Sequence, residues 1–501
     1  MGFTLSFASL VGKEIAENYI RAAAFWGALT EAEARVIAFE EVDMLPAAWL
    51  EKQEALLEKV GTQAAPPVAS TCKGAGPAAY DKVTNTAAAP LSGYGAFRIG
   101  EDGRLYFAAK SEHYHIPFGH SYPGYKLLEN ARKLGVPNAT HNNTRGHIVR
   151  LLEQELVRQA GYGDEKPGYP KLDRVHNLET GSIACEAAIK YMLSRFYRTA
   201  ENFDIPQYSG KTPVFLVMQD NDGGPKAGYH GTSVHAQTLR GMWPEYKQKA
   251  EGCGLYRVVP VKPNDIADFE AKLKENNQGE CRVAGFLHEI ILMNYGALRL
   301  GEEYLHAAHA LCRQADVPVL VDEIQSCAWY PPDGFLFKRY GLRPDFVTIG
   351  KGFPGGEYAS SRLLLDSRFD RLAQFDALVT NGQQELSALC FLITFRLLAA
   401  MQPQVQAVAK LLESEFAQLA AKYPGSITRV MGDGHMSALE FATVDAAVGF
   451  AKALNARCID ASAQTYKASC PPTVLMKLPV VSTEKTVRWL AGVMDGVLAG
   501  L

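Results

Sequence analysis

The sequence predicts an α/β fold built around a large, mostly parallel β-sheet, with a smaller second domain. Two apolar runs, Val317 to Val321 and Phe346 to Ile349, have the composition of strands that are buried on both faces. A polar residue follows each run, Asp322 after the first and Lys351 after the second. The chain has 501 residues, 47% of them hydrophobic, so it is long enough to bury a core of this size.

The two polar strand ends predict a ligand site, because ligands of parallel sheets bind outside the carboxyl ends of the strands. Gly350 and Gly352 flank the lysine and let the backbone approach a ligand closely. A lysine and a carboxylate placed in this way can hold pyridoxal phosphate: Lys351 forms the Schiff base, and Asp322 keeps the pyridine nitrogen protonated. We expect desolvation to lower the pKa of Lys351, so that its amine can move a proton near neutral pH.

A glycine turn at residues 180–182 opens a predicted amphipathic helix, with Ser182 as the candidate N-cap. The free backbone N–H groups and the positive dipole end of a helix start suit a phosphate group. Gly181 and Ser182 are therefore candidate phosphate ligands.

These segments resemble the class III aminotransferases, the pyridoxal-phosphate family that includes ornithine, 4-aminobutyrate and ω-amino acid aminotransferases. The resemblance runs from about Gly93 to the C-terminus. It implies fold type I of the pyridoxal-phosphate transferases, with a large cofactor domain and a smaller α/β domain built from both chain ends. The matching segments are GHSYP, TGSIACEAAIK, AGYHGTS, FLHEIIL, DEIQ and GKGFPGG.

The resemblance also implies a role for individual residues. Gly181 and Ser182 hold the cofactor phosphate, and Tyr229 stacks on the cofactor ring. Gln325 contacts the ring hydroxyl, and Glu289 is the equivalent of an acid that the family places after a strand. His230, next to the stacking residue, is expected to be structural.

Thr380 lies where the family has a threonine that reaches the phosphate of the neighbouring subunit. This match implies a homodimer with two equal active sites at the interface. The surrounding sequence departs from the family, since Asn381 replaces an aromatic residue and Gln384–Glu385 replace Asn-Pro. A simple loop threonine is the alternative interpretation.

Other departures concern the substrate. After DEIQ the chain reads SCAWYPPDGFLF where the family usually has TGFGRTG, so we expect a different pocket. The ornithine and acetylornithine branch binds the α-carboxylate with an arginine near the C-terminus, whereas this chain has VLMKLPVV. Lys477 offers a point charge there, or it is a solvated lysine at a strand end. These departures leave open whether the substrate is an α-amino acid, an ω-amine or something larger.

We predict four segments: an N-terminal helical extension and linker (1–89), the first part of the small domain (90–145), the large cofactor domain (146–395) and the rest of the small domain (396–501). Thr30 and Glu33 form a capping box in the extension. We expect the extension to pack on a neighbouring subunit or over the site entrance.

Composition limits the partners. The formal net charge of −3 gives no reason to expect nucleic acid or an anionic membrane as a partner. We expect no membrane span and no signal peptide, and hence a cytoplasmic enzyme. The nine cysteines form no CxxC pair, which favours reduced thiols over disulfides or a metal site.

The leading functional hypothesis is transfer of an amino group between an amino acid or amine donor and a keto acid or aldehyde acceptor. The nearest alternative is a different reaction on the same cofactor, either racemisation or epimerisation, or a carbon–carbon bond-forming or elimination step in specialised biosynthesis. A binding protein without turnover is a third possibility, against which the presence of Lys351, Asp322 and Gln325 argues.

Overall fold

The protein is described from a computed structural model. The structure describes residues 2–70, 72, 74–80, 87–138, 141, 143–163, 166–202, 204–464 and 470–501. Part of the predicted N-terminal linker, residues 71, 73 and 81–86, lies outside the described residues.

The N-terminal extension packs on the chain's own core. Phe7, Leu10 and Ile20 belong to the main hydrophobic cluster, and the rings of Trp49 and Tyr122 lie 5.9 Å apart. Contact with a neighbouring subunit therefore stays a prediction. The elements are β1 (Thr4–Leu5), α1 (Phe7–Val11), α2 (Lys13–Phe25), α3 (Glu31–Phe39), β2 (Val42–Asp43) and α4 (Ala47–Leu57).

The predicted capping box at the start of α3 is confirmed. The Thr30 side chain accepts a hydrogen bond from the backbone N–H of Glu33, and the Glu33 carboxylate accepts one from the backbone N–H of Thr30. Two backbone donors that a helix start leaves without partners are thereby satisfied.

The first part of the small domain is a three-stranded antiparallel sheet followed by short helices. Its elements are β3 (Pro90–Tyr94), β4 (Phe97–Gly100), β5 (Leu105–Phe107), α5 (Ser111–Tyr114) and α6 (Lys126–Lys133). The single turn α5 has left-handed backbone angles throughout, with φ values between 48° and 75°.

The large domain is a seven-stranded sheet with helices on its faces. Its elements are α7 (His147–Ala160), β6 (Arg174–Leu178), α8 (Gly181–Leu193), β7 (Thr212–Met218), α9 (Val234–Leu239), α10 (Pro244–Gly252), β8 (Arg257–Val261), α11 (Ile266–Asn276), β9 (Cys281–His288), β10 (Ile291–Leu292), β11 (Leu298–Arg299), α12 (Glu302–Gln314), β12 (Val319–Asp322), α13 (Leu336–Arg339), β13 (Phe346–Ile349), β14 (Ser361–Leu365) and α14 (Gln374–Ala377).

The strand order in this sheet is β6-β14-β13-β12-β9-β7-β8. Strands β13, β12, β9, β7 and β8 run parallel, and β14 is antiparallel to both of its neighbours. In β12 and β13 every residue is buried, as the apolar composition of these strands predicted. Asp322 is paired with Thr348, so the two predicted site residues leave the sheet at adjacent strand ends.

The chain ends with a long helix and the second part of the small domain. These elements are α15 (Glu385–Lys422), β15 (Ile427–Asp433), β16 (Met436–Phe441), α16 (Val444–Ala456), β17 (Ser462–Ala463), β18 (Thr473–Met476) and α17 (Glu484–Leu498). Phe97 and Phe107 share one hydrophobic cluster with Leu439 and Phe450, so both chain ends build the small domain, as predicted. The predicted division at residue 395 lies within α15.

Helix α15 meets the length and composition requirements of a membrane span, although the sequence was expected to contain no such span. Within its most apolar window, 72% of the residues are buried inside the protein. The helix therefore serves as a core helix that connects the two domains.

The packing of the extension gives a prediction for stability. Phe7 is 0% exposed, so Phe7→Ala should lower the free energy of unfolding by about 3–5 kcal/mol, because it leaves a cavity. Phe25 is 82% exposed, so the matched change Phe25→Ala should cost less than about 0.5 kcal/mol. Urea denaturation of both variants measures the difference, and equal effects would contradict this packing.

Candidate active site

A cavity of about 560 Å³ lies at the carboxyl ends of β12 and β13. The large sheet, the start of α8 and the segment around α5 contribute to its walls. The lining residues are His113, His115, Glu179, Thr180, Gly181, Ser182, Cys185, Tyr229, His230, Gly231, Asn294, Asp322, Ile324, Gln325, Lys351, Pro354, Tyr358, Ala359, Ser360 and Ser361. Six of the eight residues that the sequence predicted for the site are among them.

Asp322 is buried and accepts four hydrogen bonds. Its Oδ1 accepts from the Thr348 hydroxyl at 2.9 Å and from the backbone N–H of Ile324 at 3.1 Å. Its Oδ2 accepts from His230 Nδ1 at 2.9 Å and from the Cys185 thiol at 3.2 Å. Burial opposes ionisation of Asp322, but these donors, His230 first, hold its pKa below the ordinary value. The sheet thus presents an ionised carboxylate to the cavity.

Lys351 follows β13 after one glycine and has a left-handed φ of 34°. Its Nζ lies 5.2 Å from the centroid of the Tyr114 ring. Desolvation lowers the pKa of Lys351 to about 8, although Glu289 and Asp322 favour the charged form. The direction of this pKa shift of Lys351 agrees with the prediction from the sequence.

The other end of the cavity is the start of α8. The N-cap is Thr180, whose side chain accepts from the backbone N–H of Ile183, so the prediction of Ser182 as N-cap was wrong. Ser182 lies inside the first turn, and its hydroxyl accepts from the backbone N–H of Thr232 at 3.0 Å. Gly181 and Ser182 both line the cavity, as a phosphate site requires.

The loop that carries Tyr229 passes closely over this helix start. Gly231 has φ +102°, and a Cβ atom there would lie 2.6 Å from the Cα of Ser182. Only glycine fits this approach. The guanidinium of Arg240 lies 4.6 Å from the centroid of the Tyr229 ring.

Glu289 connects two of the predicted cofactor residues. It accepts from the backbone N–H of Tyr229 at 2.9 Å and from the Gln325 amide at 2.8 Å. Among the described residues, no group bonds to the buried Oε1 of Gln325. Glu289 itself is buried and does not line the cavity, so it supports the two residues that do.

Thr380 is exposed and lies outside the cavity of its own chain. Contact of Thr380 with a neighbouring subunit stays a prediction.

Lys477 is 0% exposed, so its interpretation as a solvated lysine was wrong. Its Nζ donates to the backbone carbonyl of Gln325 and lies 3.6 Å from the Trp329 ring centroid and 4.6 Å from that of Tyr114. Lys477 does not line the cavity, which argues against a carboxylate contact through this residue. It joins the small domain to the floor of the site.

Four site residues were missed or underrated. The sequence predicts a structural role for His230, and in the structure His230 donates to Asp322 at the cavity; its position directly after Tyr229 was the available signal. Cys185 is buried against Asp322, a contact that depends on the packing of α8 on the sheet. His113 and His115 enter the site only through the left-handed turn α5, for which the sequence carries no glycine signal.

These residues fit pyridoxal phosphate. The helix start offers N–H groups for the phosphate, Asp322 is an ionised partner for the ring nitrogen, and Lys351 is an amine of lowered pKa. The Oε1 atom of Gln325, which lacks a partner in the described chain, fits a hydroxyl on the ring.

The chain is similar to known proteins along most of its length. A family model described as Aminotransferase class-III matches residues 80–464. A diaminobutyrate–2-oxoglutarate transaminase from Vibrio cholerae is 23% identical over 405 residues, which are 76% of this chain and 89% of that protein. An acetylornithine aminotransferase from Synechocystis sp. is 27% identical over 275 residues, which are 54% of this chain and 59% of that protein.

The fold is similar to solved structures. The crystal structure of the ornithine aminotransferase from Toxoplasma gondii superposes with a TM-score of 0.66 and 19% identity, covering 84% of this chain and 94% of that one. The likeness identifies the architecture of the sheet and its two domains.

Lys477 gives a prediction about pH. Burial, and then the charge of Lys351, hold the pKa of Lys477 well below its ordinary value. The unfolded chain therefore binds a proton that folded Lys477 gives up, so this residue makes stability rise with pH up to about pH 10.4. As the pH falls from 9 to 6, the free energy of unfolding of Lys477→Met should therefore rise relative to that of the wild type. The rise should be at most about 1.4 kcal/mol per pH unit.

Urea denaturation at four pH values measures this trend. Lys452→Met, the same change at an exposed lysine of α16, controls for the loss of a positive charge. A stability difference between Lys477→Met and the wild type that stays constant with pH would show that Lys477 is charged in the folded protein.

Proposed function

The chain belongs to the class III aminotransferases, which are pyridoxal-phosphate-dependent enzymes, and on that basis we propose that Lys351 carries the cofactor and that the cavity beside it is the active site. The reaction is the transfer of an amino group from an amino acid or amine donor to a keto acid or aldehyde acceptor. The observation that carries the proposal is the position of Asp322 and Lys351 at adjacent strand ends, in one cavity with the start of α8.

Bound pyridoxal phosphate supplies an electron sink for the carbanion that forms at the substrate carbon. The backbone N–H groups of Gly181 and Ser182 bind the phosphate, which also suits the positive end of the α8 dipole. Tyr229 covers one face of the ring, and Gln325 contacts the ring hydroxyl. These contacts would hold the cofactor in one orientation in the cavity.

Asp322 holds a proton on the ring nitrogen. Asp322 can perform this role because its carboxylate stays ionised although it is buried. The hydrogen-bond donors His230, Cys185 and Thr348 stabilise the ionised form. Removal of one donor would leave the carboxylate less stabilised and the electron sink weaker.

Lys351 moves the proton. The pKa of about 8 would leave the free Lys351 amine neutral in a useful fraction of molecules near neutral pH. The neutral Nζ would be able to take a proton from the substrate carbon and hold it. Racemisation, elimination or carbon–carbon bond formation would use the same residues and differ in the product.

The active enzyme is proposed to be a homodimer in which Thr380 of each chain reaches the phosphate of the other. Its exposure on the chain agrees with such a contact. We place the enzyme in the cytoplasm, where its nine free thiols would stay reduced.

The first test is replacement of the lysine. Lys351→Ala should abolish the visible absorbance that pyridoxal phosphate gives when it is bound to the protein covalently, and lower activity by at least about 10⁴-fold. Absorption spectra and keto product formation with a panel of amino donors measure both effects, with Lys452→Ala as the matched control.

The products distinguish the reactions. Stoichiometric keto or aldehyde product with conversion of the cofactor to its amine form supports transfer. A product that joins two substrate skeletons, or loss of optical activity without keto product, would replace transfer by one of the alternative reactions. Unchanged absorbance in Lys351→Ala would overturn the cofactor assignment.

Mixed dimers test the role of Thr380. Thr380→Glu places a carboxylate beside the phosphate of the partner site and should inactivate a homodimer, as Lys351→Ala does. A dimer of one Lys351→Ala chain and one Thr380→Glu chain keeps one intact site, so it should have about half of the wild-type activity.

Co-expression with two affinity tags yields the mixed dimer for this assay. An inactive mixed dimer would show that Thr380 acts within its own chain, and an active Thr380→Glu homodimer would remove Thr380 from the site.

A further inference from the structure

Three side chains of types that bind metal ions meet in the wall of the cavity. Cys185 Sγ lies 3.2 Å from Oδ2 of Asp322, and His230 Nδ1 lies 2.9 Å from the same oxygen. The three ligand atoms all lie within 4.8 Å of one another, and the three residues are at most 5% exposed. Within the described part of the chain, no second group of three His, Cys, Asp or Glu side chains lies as close together.

The spacing of these atoms fits a tetrahedral cation such as Zn²⁺. Zinc binds sulfur at about 2.3 Å and nitrogen or oxygen at about 2.0–2.2 Å, which places neighbouring ligand atoms about 3.4–3.6 Å apart. The two contacts to Oδ2 of Asp322 would therefore lengthen by roughly half an ångström at most. All three residues line the cavity, so the fourth position of the cation would open into it. Zinc sites with three protein ligands keep such an open position.

The carboxylate is already held in the orientation that a ligand needs. Oδ1 of Asp322 accepts from the Thr348 hydroxyl and from the backbone N–H of Ile324, so Oδ2 is the oxygen that meets Cys185 and His230. Hydrogen bonds to the other oxygen of a ligating carboxylate orient it toward the metal. A cation would take the place of the two hydrogen atoms that Cys185 and His230 donate to Oδ2.

The charges balance when a divalent cation binds. Cys185 would bind as a thiolate and release its proton to water, because the thiolate is the form that binds metals. His230 would bind as a neutral imidazole through Nδ1, with its proton on Nε2. The dication, the thiolate and the Asp322 carboxylate then sum to zero charge. A buried group without net charge costs far less than an isolated buried ion.

The ligand types select the class of metal. Thiolate and imidazole favour Zn²⁺ and similar transition-metal ions, whereas Mg²⁺ and Ca²⁺ prefer oxygen ligands. A CxxC pair is not needed for such a site, because Cys185 and His230 reach Asp322 from positions 137 and 92 residues away in the chain. The ligands meet only when α8 and the loop after Tyr229 pack on the sheet.

We propose that Cys185, His230 and Asp322 form a binding site for Zn²⁺ or a similar transition-metal ion, and that the bound metal excludes pyridoxal phosphate. Asp322 is the proposed partner of the ring nitrogen, and a cation on its Oδ2 would repel a protonated nitrogen there. Bound metal would therefore keep the protein free of cofactor. The exclusion rests on the proposed function, whereas the metal site rests on its three ligands.

A cobalt titration tests the metal site. Co²⁺ accepts the same ligands as zinc, and a cobalt–thiolate bond gives a charge-transfer absorbance that hydrated Co²⁺ lacks. The full-length protein, freed of pyridoxal phosphate, should develop this absorbance with about one Co²⁺ per chain. Zn²⁺ should remove the absorbance because it binds such ligands more tightly, and Mg²⁺ at the same concentration should not.

Substitution of the ligands identifies the site. Cys185→Ser removes the sulfur but keeps a hydroxyl that can donate to Asp322, so it should abolish the charge-transfer absorbance. It should also weaken Zn²⁺ binding by at least about 100-fold, since loss of an outer contact alone costs up to that factor. Cys253→Ser, the same change at an exposed cysteine outside the cavity, should leave both properties unchanged.

A second ligand variant keeps the test valid if Cys185→Ser does not fold. His230→Asn keeps an N–H group that can donate to Asp322 but removes the imidazole ligand. It should retain the cobalt–thiolate absorbance and require at least about tenfold more Co²⁺ to reach it. Unchanged cobalt affinity in His230→Asn would contradict the proposed ligand set.

Cofactor uptake tests the exclusion. Zn²⁺ at about ten times its dissociation constant, added before pyridoxal phosphate, should lower the initial rate at which the Lys351-dependent absorbance appears by about tenfold. The same Zn²⁺ concentration should have little effect on Cys185→Ser. This comparison also controls for any binding of zinc to free pyridoxal phosphate, since that binding is equal in both samples.

The outcomes separate the two claims. A missing cobalt–thiolate absorbance, or one that persists in Cys185→Ser, would overturn the metal site. Cofactor uptake that bound metal does not slow would overturn the exclusion. Loss of the proposed function, seen as wild-type absorbance that does not depend on Lys351, would remove the exclusion with it. The cobalt titration uses no cofactor and would still decide the metal site.

Discussion

An ionised carboxylate in a buried place is the constraint on which the rest of the site depends. Asp322 can stay charged there only because four donors surround it, and each comes from a different part of the fold. Thr348 comes from the neighbouring strand, Cys185 from helix α8 and His230 from the loop after Tyr229. The register of the parallel sheet therefore contributes directly to the site, because it brings Thr348 beside Asp322.

The small domain completes the site from the opposite side. Both chain ends build it, and it supplies the segment around α5 to the cavity wall and places the buried Lys477 against Gln325. The rings of Tyr114 and Trp329 lie against Nζ of Lys477, which also donates to the backbone carbonyl of Gln325 at the cavity. A shift between the domains would thus change the surroundings of Gln325 and of Lys351 together.

The sequence predicted those parts of the site that depend on local pattern. The sequence brings Asp322 and Lys351 together because each closes an apolar strand run, and it predicts that Gly181 and Ser182 belong to the same site because a glycine turn precedes a helix; all four line one cavity. The misplaced N-cap is an error of two residues within the same turn, since threonine and serine both cap well. His230, Lys477 and the turn α5 depend on residues far apart in the chain, such as Arg98 and Asp460, and no local pattern encodes such contacts.

Three basic side chains surround the Tyr114 ring, and their titration explains how one of them can act as a base. Lys351, Lys477 and His113 all contact this ring, and desolvation and the charge of a neighbouring base lower the pKa values of Lys477 and His113. Lys351 differs because Glu289 and Asp322 raise its pKa against desolvation, so that the value stays at about 8. It also lines the cavity, whereas Lys477 does not. In the proposed reaction, the side chain that gains and loses a proton is thus the one whose pKa the carboxylates keep close to neutral pH. One of these carboxylates, Asp322, is also the proposed partner of the ring nitrogen.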